Sequence, residues 1–64
     1  MKSNIWYAVM IDCEDNDWGT GSHDLDEAIA MARNYRELGN EEAYVAVIEE
    51  SEHDAVCIDE YHEI

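Results

Sequence analysis

The fold turns on residues 24–39, DLDEAIAMARNYRELG. Leu25, Ala28, Ile29, Ala32 and Tyr35 recur at i, i+3, i+4, i+7 and i+10, with Leu38 beside them. One stripe of a helix is therefore apolar and the rest is polar. Asp24 is placed to cap this helix. Glu27, three residues on, completes an Asp-x-x-Glu capping box, and Ser22 is the competing cap. Asp26 and Glu27 suit the positive N-terminal end of the helix, and Arg33 and Arg36 the negative C-terminal end. Gly39 has the freedom to end it in the left-handed conformation. Such a helix needs a surface to lie on, and the flanking segments supply one.

Upstream, IWYAVMI (residues 5–11) is an apolar run rich in aromatic and β-branched residues, which predicts a strand. Downstream, AYVAVIE (43–49) predicts a second strand, and AVCID (55–59), able to run on through Tyr61, a third. EESEHD between them is polar enough only for a hairpin loop. Residues 12–23 read as a loop, in which WGTGS (18–22) can form a short edge strand or a tight turn. The expectation is a single acidic α+β domain over residues 1–64. It is a small single-layer βαββ unit, with one helix packed on a mixed or antiparallel sheet of three strands, or four if WGTGS pairs.

Both predicted central strands are apolar on both faces. In the first, Ile5, Tyr7, Val9 and Ile11 alternate with Trp6, Ala8 and Met10; in the second, Ala43, Val45 and Val47 alternate with Tyr44, Ala46 and Ile48. One helix covers one face only. The face of Trp6, Met10, Tyr44 and Ile48 must be covered by the loop folding back with Trp18 as a lid, by a second copy of the chain, or by a partner. Covering such side chains is worth about 1.5–3 kcal/mol each, so self-association through this face, as a symmetric dimer, is expected.

The charge narrows the function. Seventeen Asp and Glu face three Lys and Arg, a formal net charge of −14. A small soluble domain needs a magnitude of only about 2–8. The excess repels nucleic acid and anionic membranes, and favours a basic protein, a cation or a halophilic setting. No apolar run approaches the ~20 residues of a membrane span, and Met1-Lys2-Ser3-Asn4 leads straight into a strand without a signal peptide. A cytoplasmic location, with Cys13 and Cys57 reduced, is expected.

Metal and catalytic readings fail on spacing. From Asp12, Glu14 and Asn16 fit an EF-hand loop, but Asp17 stands where Gly is needed and His23 where Glu is needed. Cys13, His23, His53, Cys57 and His62 lack the close pairs of a zinc site. No nucleophile-base arrangement is readable, and Gly19-Thr20-Gly21 lacks the Lys of a phosphate loop. No metal, cofactor or enzymatic activity is expected.

Fourteen of the seventeen acids cluster in two regions, residues 12–27 and 49–63. The expected partner-binding surface combines Asp12, Glu14, Asp15 and Asp17, with Trp18 as an anchor, and Glu49, Glu50, Glu52 and Asp54. Brought onto one side, these carboxylates form a phosphate-like array for a basic partner, a nucleic-acid-binding enzyme in particular.

In size, charge and predicted βαββ order the chain resembles the small acidic inhibitors that phages and mobile elements direct against restriction or CRISPR enzymes. Over residues 20–48, DLDEAIAMA with Asp24, Glu27, Ala28 and Ala32 is similar to the helix start of HicB-like antitoxin domains. Those domains carry a longer β-hairpin before the helix, and many add a DNA-binding segment; this chain is expected to lack both. Both resemblances imply a non-enzymatic protein that binds another protein. The first implies an inhibitor that imitates nucleic acid. The second implies an antitoxin-like or regulatory module that pairs through its sheet.

Overall fold

A computed structural model describes residues 4–12 and 17–64. Strand β1 (Asn4–Met10) is followed by a two-residue strand β2 (Gly21–Ser22), helix α1 (Leu25–Glu37), and strands β3 (Tyr44–Glu50) and β4 (Ala55–Tyr61). The four strands form one sheet in the order β2-β1-β3-β4, with every pairing antiparallel. The class is α+β, and the element order is ββαββ. The predicted βαββ order gains β2, because the WGTGS segment returns beside β1 and pairs Ser22 with Tyr7 and Gly21 with Ala8. That approach is tight. A Cβ on Gly21 would run into the Tyr7 carbonyl oxygen and come within 2.9 Å of the Ala8 Cα.

Helix α1 begins and ends as its sequence directs, with one change at the start. Asp24 is the N-cap, and its carboxylate accepts from the Asp26 amide at 3.0 Å. The Asp24 amide donates to Ser22 Oγ at 3.0 Å, the role a capping box would give to Glu27. The two candidate caps therefore act in series. At the other end, Gly39 takes φ +108°, its amide donates to the Arg36 carbonyl, and the Asn40 amide donates to that of Tyr35. This pair of bonds is a Schellman motif.

The helix packs on β1, β2 and β3 and does not reach β4. Its stripe does the packing: Ala28 and Ala32 are buried against Val9 and Val45, with Leu25, Ile29 and Tyr35 around them. Two alanines at the contact let the helix lie close to the sheet. Leu38, expected beside this stripe, is the C-cap residue and stays 72% exposed, because the helix stops at Glu37 before Leu38 can turn inward.

Arg36 fastens the C-terminal end of the molecule. Its guanidinium donates from Nε to the Ala43 carbonyl at 2.8 Å, from Nη1 to that of Ile64 at 3.0 Å, and from Nη2 to that of His62. Ile64 is thereby held against the helix-side core.

Candidate interaction surface

The second sheet face is filled within the chain. Ala8, Met10, Tyr44, Ala46 and Ile48 form a buried cluster, with Trp6 and Trp18 packed over it. The Trp6 indole N–H donates to the Trp18 carbonyl at 2.7 Å, which ties the returning loop to the strand below it. The His23 ring meets Trp6 edge-on at 4.9 Å, and the His62 ring stacks on Tyr44 at 4.3 Å. Met10, Tyr44 and Ile48, expected at a self-association face, are 2%, 6% and 1% exposed, and Trp6 is half-buried. The burial term that argued for a dimer here is thus largely met by one chain. Trp18, expected as an anchor for a partner, is half-buried as the lid of this cluster.

The strand register decides where the acids go. β1 runs from Asn4, opposite Glu50, to Met10, opposite Tyr44. At about 3.4 Å per residue its two ends lie about 20 Å apart. Asp12 follows the Met10 end, near Asn40, Glu41 and Glu42 in a shallow cleft. Glu49, Glu50, Glu52 and Asp54 belong to the opposite end, on β3 and the turn after it. Asp12 and the residue 49–54 group are therefore not brought together. Asp17 is exposed in the returning loop, where its Oδ1 accepts from the Gly19 amide at 2.8 Å. Glu14 and Asp15, with Cys13, lie outside the described residues.

A different set of acids joins Glu49 to Asp54. β2 runs antiparallel to β1, and His23 just after it bonds through Nδ1 to the Ile5 carbonyl at 2.9 Å. The carbonyl can only accept, so Nδ1 is the donor. This contact starts α1 at the Ile5 end of β1, and Ile5 is paired with Glu49. The first-turn acids Asp24, Asp26 and Glu27 are set at the same end of the sheet as Glu49, Glu50, Glu52 and Asp54. All are exposed except Glu49, which is half-buried. Both described Arg residues, Arg33 and Arg36, lie in the C-terminal half of α1, away from this end. The sequence contained this grouping only implicitly: the acids were visible, but the β2 pairing that turns the chain back was not.

The other end is mixed in charge. A cleft of about 260 Å³ is lined by Arg36, Glu41, Glu42, Tyr44 and His62, and His62 Nε2 lies 2.7 Å from Glu60 Oε1. Among the described residues, no three His, Cys, Asp or Glu come together as a metal-holding group, and no helix is long and apolar enough to cross a membrane. Cys57 carries a free, exposed thiol. No protein-family model matches the chain, and no curated protein or solved structure matches it.

Proposed function

We propose that the chain is a non-enzymatic, acidic binding protein that occupies a basic, nucleic-acid-binding surface of another protein. One observation carries the reading. The Ile5–Glu49 pairing and the His23 contact to Ile5 gather the helix-start acids and the β3–β4 turn acids at one end of the sheet. With no described Arg beside them, Asp24, Asp26, Glu27, Glu49, Glu50, Glu52 and Asp54 project one sign of field. Such a field steers a basic groove toward it and competes with a phosphate backbone for the same cations. The order of contributions differs from the sequence expectation. The residue 49–54 group keeps its assigned role, its companions become Asp24, Asp26 and Glu27, and Trp18 serves the core.

The test is competitive. Proteins retained from a nucleic-acid-binding fraction on the immobilised chain should be released by duplex DNA. They should not be retained by the neutralised variant E49Q/E50Q/E52Q/D54N. Equal retention by that variant, or indifference to DNA, would remove the reading.

A further inference from the structure

β4 is the outer strand on its side of the sheet, and every residue in it is exposed. Val56, Ile58 and Tyr61 are 45%, 53% and 37% exposed, and the helix stops short of them. A long, apolar, open edge invites another strand.

The direction of its backbone groups follows from the register. The Val9 amide donates to Thr20, away from β3. Strand donors alternate in direction, so Ala8 and Met10 face β3, and Val45, Val47 and Glu49 turn toward β4. Their partners Tyr61, Asp59 and Val56 then face inward, and Ala55, Cys57 and Glu60 face the open side. A bulge leaves Ile58 without a partner opposite it.

Two of the outward amides are held by side chains. The Ala55 amide donates to Asp54 Oδ1 and the Glu60 amide to Asp59 Oδ1, each at 2.9 Å. Each carboxylate sits where the carbonyl of an added strand would sit. We propose that β4 is the docking edge for an extended, basic segment of a partner protein, which joins the sheet as a fifth strand. Lys or Arg side chains of that segment draw Asp54 and Asp59 off the amides, and its carbonyls take their place. The apolar residues between the cations cover Val56 and Ile58. A second copy of the chain is a poor occupant, since it brings a net charge of −14 to an edge lined by Asp54 and Asp59. Self-capping thus guards the edge against its own kind and leaves it open to a basic strand.

The inference rests on the reading that the partner is basic, and it assigns the β4 edge, which shares Asp54 with the acidic end and otherwise lies apart from it. The test titrates the isotope-labelled full chain with a seven-residue peptide of alternating Lys and Val. A second peptide, N-methylated on alternate residues along its pairing edge, keeps the charge but loses the donors. The expected result is amide shifts and slowed exchange at Ala55, Cys57 and Glu60. Binding by the methylated peptide should be at least about tenfold weaker. D59N, which keeps the accepting oxygen and removes the charge, should weaken binding several-fold, while E49Q/E50Q/E52Q changes it less. Shifts confined to residues 24–27 and 49–52, equal for both peptides, would overturn the edge proposal and leave the acidic-end reading standing. No binding at millimolar peptide would overturn it, as would a dimer of the free chain that V56T/I58T dissolves.

Discussion

Trp6 donates its indole N–H to the carbonyl of Trp18 across the second sheet face, at 2.7 Å. The bond fixes where the loop after β1 comes back, and Trp18 then packs against the cluster of Ala8, Met10, Tyr44, Ala46 and Ile48. Trp18→Ala should cost about 2–4 kcal/mol, somewhat below a fully buried Trp because the ring is half-exposed. Trp6→Phe should cost about 1 kcal/mol for the hydrogen bond alone. Urea denaturation checks both. A Trp18→Ala protein as stable as the parent would mean that the second face needs no lid.

Gly21→Ala should loosen β2, because the added methyl meets the Tyr7 carbonyl, which is backbone and cannot swing aside. Gly39→Ala meets no atom but is held at φ +108°, a left-handed conformation costing about 1 kcal/mol for an L side chain. Thermal melts should therefore rank Gly21→Ala as the more damaging. The opposite order would argue that β2 is not held against β1.

Arg36→Lys keeps the charge and cannot reach the carbonyls of Ala43, His62 and Ile64 together. Amide exchange in the last residues should quicken, and global stability should fall by about 1–3 kcal/mol. If exchange there is unchanged, the clamp is not what holds the chain end.

The helix was legible in residues 24–39 because cap, stripe and terminal Gly all agree on one answer. β1, β3 and β4 were legible as apolar runs broken by polar turns. β2 was weakly written, since two residues, Gly21 and Ser22, carry no periodicity of their own. That short strand nevertheless decides the site. Without its register, the helix-start acids have no assigned end; with it, Asp24, Asp26 and Glu27 sit at the Ile5 end of β1, where Glu49 pairs. The exposure of β4 was hidden for a related reason. AVCID marks a strand but not its place in the sheet, and only the helix's position over β2, β1 and β3 leaves Val56 and Ile58 uncovered.

Self-repulsion should make the fold sensitive to salt. At a net charge of −14, shortening the screening length from about 30 Å at 0.01 M to about 10 Å at 0.1 M should raise the melting temperature by several degrees. E49Q/E50Q/E52Q/D54N should shrink that rise and leave stability level or higher, since it thins the acidic end. A rise of the same size in both proteins would place the repulsion elsewhere.

The most direct test of the acidic end is the dissociation constant of the retained basic partner, measured for the parent and for E49Q/E50Q/E52Q/D54N at 0.05 M and 0.2 M salt. The account predicts that the parent weakens at least about tenfold between the two salts, and that the variant binds weakly with a flatter dependence. Equal dissociation constants for the two proteins, unmoved by salt, would contradict it.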